Sequence, residues 1–309
     1  MSSDAPAHAD DAASDSRWRV DARAAAHLDD RIEDIDWSRL PDGSIRSTFP
    51  APSGDLAVFS LGDPVNPRVV LVPGVTGSKE DFVLVAPLLA GAGYFVQSYD
   101  LPGQYESADA GPRPGEGRYD YALFVDDMIE FLEAGAPAHL LGYSFAGVVA
   151  ELVLVSRPRS IRSLTLLTTP PLTGESFRGV RWIGPLSRFV TGRTAAGLMI
   201  WGILTNKNKV GPSRLAFVRA RFASTRRSSV NDIISLMMRV PDVRAAVRAA
   251  GVPLLVAVGN HDLWPEHLHT RFAAEIGARI SVYETGHSPC ETAPHQLAAD
   301  MLRLFETAH

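Results

Sequence analysis

The sequence contains only one cysteine, Cys290, among 309 residues. A single thiol cannot form an intramolecular disulfide, and nothing in the composition points to an oxidising compartment. No stretch offers the roughly twenty consecutive apolar residues that a membrane-spanning helix needs. The first twenty residues lack the basic start and the apolar centre of a secretory signal. We therefore expect a cytoplasmic protein.

The chain also lacks a large excess of charge of one sign. Its formal net charge is −5 and its pI is close to 6.0, which argues against nucleic acid as the main partner. No dinucleotide fingerprint, phosphate-binding loop or His/Cys cluster with metal-ligand spacing is present, so we expect no cofactor and no metal. With 46% hydrophobic and 21% charged residues, the composition is that of an ordinary globular protein. A small-molecule substrate is compatible with this composition.

One stretch, residues 138–151, carries the clearest chemical signal, AHLLGYSFAGVVAE. An apolar run leads into a short Gly-rich segment, and a second apolar run follows at once, which predicts a strand, a tight turn and a helix with Ser144 at the tip. Such a turn forces its central residue into a strained conformation, so the residues two positions away must be small, as Gly142 and Ala146 are. The backbone N–H of Phe145 opens the following helix, where an anion is stabilised.

This stretch resembles the nucleophile elbow of the α/β-hydrolase superfamily, G-x-S-x-G, with Ala146 in place of the last glycine. The resemblance extends over residues 45–308. A glycine-rich loop, PGVTGS, follows the buried apolar run 68–72; in the superfamily this loop begins His-Gly and supplies the second oxyanion donor. Here Pro73 stands at the histidine position. The resemblance implies an oxyanion hole made by the backbone N–H groups of Val75 and Phe145.

Predicted strands and helices alternate along most of the chain. After a hairpin at 44–60, strands are predicted at 68–72, 94–100, 138–141, 163–168, 252–258 and 279–284, and helices at 79–90, 119–133, 266–276 and 294–306. This alternation predicts an α/β fold with a mainly parallel, doubly wound sheet. On the helix 119–133, the acidic residues Asp126 and Asp127 are expected to face solvent.

Ser144, Asp262 and His287 each stand just past the end of a predicted strand. In a parallel sheet these strand ends emerge at one edge, where open α/β folds place their ligands. The chain order Ser, Asp, His is the one that the superfamily uses. The resemblance therefore implies Ser144 as nucleophile, His287 as general base and Asp262 as the carboxylate that orients the imidazole. His261 is expected to be loop structure, and Cys290 buried packing.

Four segments are expected: a disordered acidic and Ala-rich tail (1–30), a first part of the core (31–170), a helical cap (171–240) and a second part of the core (241–309). The cap carries 12 Lys+Arg and 2 Asp+Glu, a charge of +10, against −15 for the remainder. These arginines have two interpretations: they form solvated outer faces of helices, or they recruit an anionic substrate or a membrane surface.

The resemblance implies a serine hydrolase that cleaves a carboxylic ester, thioester or lactone with a moderately apolar acyl part through an acyl-enzyme. Acyl transfer or C–C bond hydrolysis on the same residues is the alternative among enzymes, and a non-catalytic ligand receptor is the alternative outside them. Val75, Tyr143 and Trp264 are the expected substrate contacts. The sequence carries no signal for the oligomeric state.

Overall fold

A computed structural model describes residues 22–112, 115, 117–180 and 211–308. Its centre is an eight-stranded sheet whose strands are β1 (Ile45–Ala51), β2 (Gly54–Leu61), β3 (Arg68–Val72), β4 (Phe95–Tyr99), β5 (Ala138–Tyr143), β6 (Ile161–Leu167), β7 (Leu254–Gly259) and β8 (Arg279–Tyr283). The strand order is β1-β2-β4-β3-β5-β6-β7-β8. β2 pairs antiparallel with β1 and β4, and all other pairs are parallel.

Helices accompany the sheet. They are α1 (Ala22–Asp29), α2 (Val85–Gly91), α3 (Tyr121–Glu133), α4 (Phe145–Ser156), α5 (Pro212–Ser224), α6 (Arg227–Met237), α7 (Arg244–Ala249), α8 (Glu266–Ile276), α9 (Pro289–Thr292) and α10 (Pro294–Phe305). Two of them, α5 and α6, belong to the cap. Among the helices that the structure describes, none has the length and apolar character needed to cross a membrane.

The predicted α/β class with a mainly parallel, doubly wound sheet is confirmed. Strands β3, β5 and β7 are buried along their whole length, as uninterrupted apolar runs predict. Two apolar clusters cover the two faces of the sheet, one around Phe124 and Phe145 and the other around Phe82 and Leu89. The sheet is therefore a buried platform whose strand ends hold the loops described below.

The predicted helix at 79–90 is a 3-10 turn, Lys79–Phe82, followed by α2. Pro87 explains the break. A proline ring inside a helix clashes with the carbonyl four residues earlier, but it is tolerated in the first turn. Since α2 begins at Val85, Pro87 falls in that first turn. The prediction of one continuous helix was wrong for this reason.

Part of the predicted disordered tail is ordered. Residues 1–21 lie outside the described residues, but residues 22–29 form α1. The Asp29 carboxylate accepts hydrogen bonds from the backbone N–H groups of His295 at 2.9 Å and Gln296 at 3.2 Å, in the first turn of α10. Those N–H groups have no acceptor within their own helix. The prediction of disorder for residues 22–29 was wrong, because composition does not show that the carboxylate of Asp29 caps a distant helix.

The two acidic residues predicted to face solvent on α3 differ in their surroundings. Asp126 is exposed, as predicted, whereas Asp127 is buried. The Asp127 carboxylate accepts hydrogen bonds from the Ser53 backbone N–H at 2.9 Å and the Ser53 hydroxyl at 2.6 Å. Burial raises the pKa of Asp127 to about 6, although the bonds from Ser53 act in the opposite direction. The prediction for Asp127 was wrong because the β1–β2 turn packs on that face of α3.

The described parts of the cap, residues 171–180 and 211–240, lie against the core. Gly174 and Val240 join their two ends by backbone hydrogen bonds of 2.8 and 2.9 Å. The backbone N–H of Arg226 donates to the Gly103 carbonyl at 2.8 Å, and the Ser229 hydroxyl donates to the Pro102 carbonyl at 3.0 Å. Helices α5 and α6 are thus fixed to the loop that follows β4.

Two cap arginines are buried and bind carboxylates of the core. Arg214 contacts Asp81 at 2.8 Å and both carboxylate oxygens of Glu291. Arg221 contacts the same oxygen of Asp81 at 2.5 Å. Burial would raise the pKa of Asp81, but the two guanidinium groups hold it below its usual value. Neither interpretation of the basic cap covers these two arginines, because they neutralise core carboxylates of the same chain. Both interpretations remain for exposed arginines such as Arg227.

We predict that Arg214→Met lowers the free energy of unfolding by about 3–5 kcal/mol, because it leaves two buried carboxylates without their shared cation. Urea unfolding measures this. The matched control is Arg227→Met, at the exposed start of α6, which should change stability by less than about 0.5 kcal/mol. Equal effects of the two substitutions would contradict the role given to the buried ion pairs.

Glu151 is a buried carboxyl on α4, in a small cavity with Pro171, Val243 and Phe272. Burial raises the pKa of Glu151 to about 8, and the nearby Arg244 opposes this shift. A carboxyl with a raised pKa stabilises the fold in its protonated form. That contribution is complete below the ordinary value of 4.5 and is lost as the pH rises through 8.

Wild type should therefore lose stability relative to Glu151→Gln as the pH rises between these two values, by roughly 5 kcal/mol in total. Urea unfolding of both proteins across this pH range gives the difference directly, since all other titrating groups are shared. Parallel stability curves for the two proteins would refute the pKa shift.

Candidate active site

Ser144 occupies a sharp turn between β5 and α4. Its backbone angles are φ 53° and ψ −117°, in a region that residues with a side chain rarely adopt. A Cβ atom at Gly142 would lie 2.6 Å from the Ala146 carbonyl oxygen, so this position requires glycine. A Cβ atom at Gly147 would lie 1.9 Å from the Thr169 hydroxyl oxygen. The turn thus needs its second glycine at 147, while the side chain of Ala146 is accommodated in the core.

The structure brings Ser144, His287 and Asp262 into one hydrogen-bonded series. The Ser144 Oγ lies 3.3 Å from the His287 Nε2, and the His287 Nδ1 lies 2.5 Å from the Asp262 Oδ1. The three residues follow β5, β8 and β7, whose ends meet at one edge of the sheet. They are 143 and 25 residues apart in sequence, so the sheet and not local structure sets this geometry.

The carboxylate of Asp262 determines where the His287 proton lies. Burial alone would raise the pKa of Asp262, but the charge of His287 and hydrogen bonds from His269 and His287 outweigh it and lower the pKa to about 2. An ionised carboxylate only accepts hydrogen bonds, so the His287 Nδ1 is the donor. The lone pair on the His287 Nε2 is then free to accept the Ser144 hydroxyl proton.

The two predicted oxyanion donors lie on segments that border Ser144. Phe145 is the first residue of α4, where a backbone N–H has no acceptor within the helix. Val75 follows Gly74, whose Cβ position is 3.0 Å from the Ser144 Cβ, so the glycine-rich loop passes directly beside the serine. Their role as oxyanion donors remains a prediction.

Gln104 supports the glycine-rich loop from outside it. Its side-chain oxygen accepts a hydrogen bond from the backbone N–H of Thr76 at 2.6 Å, and its side chain is fully buried. Thr76 has φ 61°, an unfavourable angle for a β-branched residue. Pro73, at the position of the superfamily's histidine, has no N–H to donate. Gln104 is thus a supporting residue that sequence analysis did not identify.

The predicted substrate contact by Trp264 is not supported. Its ring is completely buried, its Nε1–H donates to the Ser176 carbonyl at 2.7 Å, and its ring centroid lies 6.1 Å from that of His287. Trp264 therefore packs behind His287 and has no surface left for a substrate. The indole instead fixes the 171–180 part of the cap to the core through Ser176.

Tyr143 has little exposed surface, and its hydroxyl is hydrogen-bonded to the Ser288 hydroxyl at 2.8 Å. This contact steadies the segment that carries His287. Val75 is partly exposed and packs against the core cluster on one side of the sheet. Substrate contacts by Tyr143 and Val75 stay predictions.

Two residues beside the site were missed in the sequence. The His269 Nε2 lies 2.7 Å from the second carboxylate oxygen of Asp262. Its signal was its position on the apolar face of α8, three residues before Phe272. The Thr168 hydroxyl donates to the His287 backbone carbonyl at 3.0 Å, and its φ of 42° has no sequence signal. Among the described residues, no group of three or more His, Cys, Asp or Glu is placed to hold a metal ion.

The expectations for His261 and Cys290 agree with the structure. His261 is exposed on the loop after β7, and Cys290 is fully buried. Burial raises the pKa of the Cys290 thiol, which disfavours the thiolate. Cys290 is therefore a packing residue.

Comparison with known proteins identifies the family. The sequence profile described as "Alpha/beta hydrolase family" matches residues 69–300, which is 232 of 309 residues. The chain belongs to this family. Residues 22–68, including α1 and the β1–β2 hairpin, precede the matched part of this α/β hydrolase. A comparison with curated proteins gave no match.

Several solved structures share the fold. A hydrolase from Pseudomonas aeruginosa PA01 is 23% identical, covers 85% of this chain and 98% of its own, and has a TM-score of 0.67. A thermophilic esterase from Thermogutta terrifontis is 20% identical (86% and 99% covered, TM-score 0.66). An epoxide hydrolase from Vigna radiata is 14% identical (86% and 99%, TM-score 0.67). At these identities the likeness shows the fold alone, and different chemistries share it.

The strain at Ser144 gives a test that needs no substrate. Glycine tolerates the observed backbone angles and alanine does not, so Ser144→Gly should be more stable than Ser144→Ala by about 1–3 kcal/mol. Both variants lose the hydroxyl, so their comparison isolates the backbone. Thermal or urea unfolding measures the difference. Equal stability of the two variants would show that the turn is not strained.

Proposed function

We propose that this α/β hydrolase is a serine hydrolase that cleaves a carboxylic ester, thioester or lactone through an acyl-enzyme. The observation that carries the proposal is the series from Ser144 through His287 to Asp262, with 3.3 Å and 2.5 Å between the paired atoms. A serine hydroxyl is a poor nucleophile by itself and needs a base held in the correct tautomer. This series supplies both requirements.

In the first half-reaction, the Ser144 Oγ attacks the substrate carbonyl carbon while its proton moves to the His287 Nε2. Asp262 stabilises the resulting imidazolium. The backbone N–H groups of Val75 and Phe145 bind the oxyanion, and each donor contributes roughly 3 kcal/mol in comparable sites. His287 then gives its proton to the leaving group, which departs as an alcohol or thiol and leaves an acyl ester on Ser144.

In the second half-reaction, water attacks this acyl ester and His287 takes its proton. The second oxyanion collapses, the Ser144 Oγ recovers the proton from His287, and the carboxylic acid leaves. The same residues act in both half-reactions, as they do in serine hydrolases generally. Attack by another alcohol or thiol at this stage would give acyl transfer.

A moderately apolar acyl group fits the character of the loop beside Ser144, where Val75 packs against the apolar core. The esterase from Thermogutta terrifontis with the same fold adds support for ester chemistry. Contact with an anionic substrate or a membrane surface is retained only for exposed cap arginines, such as Arg227. Arg214 and Arg221 already have carboxylate partners.

The proposal is tested by hydrolysis of p-nitrophenyl esters of increasing acyl length. We expect turnover with one preferred chain length, and a loss of at least about 1000-fold in kcat/KM for Ser144→Ala, because no other group can carry the acyl intermediate. Ser156→Ala, at the exposed end of the same helix, is the control and should keep wild-type rates. Mass spectrometry of the quenched reaction should find the acyl group on Ser144.

Full activity in Ser144→Ala would refute the proposed nucleophile. Turnover that forms an acylated alcohol or thiol instead of the free acid would identify an acyltransferase. No turnover by wild type, together with tight binding of a ligand, would favour the receptor alternative.

A further inference from the structure

Asp262 is shared by two histidines. Its Oδ1 accepts from the His287 Nδ1 at 2.5 Å, and its Oδ2 lies 2.7 Å from the His269 Nε2. The carboxylate itself is buried, and His269 has no exposed surface. A serine hydrolase needs only the first of these two contacts to orient its base. The second contact therefore calls for an explanation.

The direction of the second hydrogen bond follows from the carboxylate. Since an ionised Asp262 can only accept, the His269 Nε2 must carry a proton and donate it. The Nδ1 of His269 is buried and has no hydrogen-bond partner among the described residues. The contact with Asp262 therefore places a proton on the Nε2 of His269 and directs it at the Oδ2.

Packing alone does not account for a histidine at this position. His269 lies on the buried face of α8 together with Phe272 and Ile276, and its ring meets the edge of Trp264 with centroids 6.3 Å apart. An apolar side chain would fill this place without leaving a buried nitrogen unpaired. Polar groups with an unsatisfied atom cost stability and are common where function requires them. Only a side chain with a hydrogen-bond donor at this position can form the bond to Asp262.

We propose that His269 is a positioning residue for the reaction. It holds the Oδ2 of Asp262, so that the Oδ1 faces the His287 Nδ1 and the base keeps its tautomer and its orientation toward Ser144. This inference rests on the proposed function, because it assigns a role to the partner of the proposed catalytic carboxylate. His287 and Asp262 both lie on loops. The hydrogen bond from His269 on α8 therefore fixes Asp262, and Asp262 in turn fixes the orientation of His287.

The test uses variants that separate the loss of the hydrogen-bond donor of His269 from the change in side-chain volume. In His269→Leu the donor is lost. In His269→Gln the side-chain amide places an N–H close to the original Nε2. If His269→Leu fails to fold, His269→Asn replaces it, because its amide is too short to reach Asp262. His267→Leu, an exposed histidine on the same helix, is the matched control.

The first readout is covalent labelling of Ser144 by a fluorophosphonate, which needs no knowledge of the natural substrate. The Ser144 Oγ forms a bond to phosphorus, fluoride leaves, and the serine proton goes to His287. We expect the saturating labelling rate of His269→Leu to fall by about 10- to 100-fold with little change in half-saturating concentration, as for a misoriented catalytic group. His269→Gln should recover most of the rate, and His267→Leu should match wild type.

The second readout is the low-field proton resonance of the hydrogen bond between His287 and Asp262, recorded by NMR on the free protein. It should be shifted or lost in His269→Leu and kept in His269→Gln. Labelling at the wild-type rate by His269→Leu would overturn the inference. So would equal losses in the Leu and Gln variants with an unchanged resonance, because packing would then explain both.

The two proposals fail in different ways. If wild type is not labelled at all, the proposed function fails, and the resonance alone decides about His269. A resonance that depends on the His269 donor then supports the positioning role. An identical resonance in all variants overturns it.

Discussion

The strained turn at Ser144 is the constraint on which the rest of the site depends. A serine does not hold φ 53° and ψ −117° unaided, so the surrounding structure must enforce these angles. The backbone N–H of Ser144 donates to the Leu167 carbonyl on β6 at 2.8 Å, which ties the turn to the neighbouring strand. Close approaches at Gly74, Gly142 and Gly147 then leave no room for the turn to relax. The sheet and its adjoining loops therefore hold the backbone of Ser144 in this geometry.

Sequence patterns predicted most of this architecture because each rests on a local rule. Apolar runs identified the buried strands, and the small residues around Ser144 identified the turn. The order of Ser144, Asp262 and His287 could be placed at one sheet edge because parallel strands end together. The chemical role of the three residues is a proposal, but their convergence follows from the strand pattern.

The sequence could not show contacts between residues that are far apart and carry no periodic signal. Asp29 caps a helix 266 residues later, Gln104 supports a loop 28 residues earlier, and Arg214 binds Glu291 77 residues away. Each depends on one polar side chain that meets a partner through the tertiary fold. The count of charged residues gives the net charge of the cap. It cannot distinguish a solvated arginine from an arginine that is buried against a carboxylate.

The buried arginines connect the described part of the cap to the loops beside Ser144. Arg214 joins Asp81, on the turn after the glycine-rich loop, to Glu291, four residues past His287. One cap side chain thus bridges the segment with the predicted oxyanion donor Val75 and the segment with His287. Both carboxylates are buried, and Arg214 is the cation that they share, while Asp81 also contacts Arg221. Loss of Arg214 would therefore remove a support that is common to the two loops that flank Ser144.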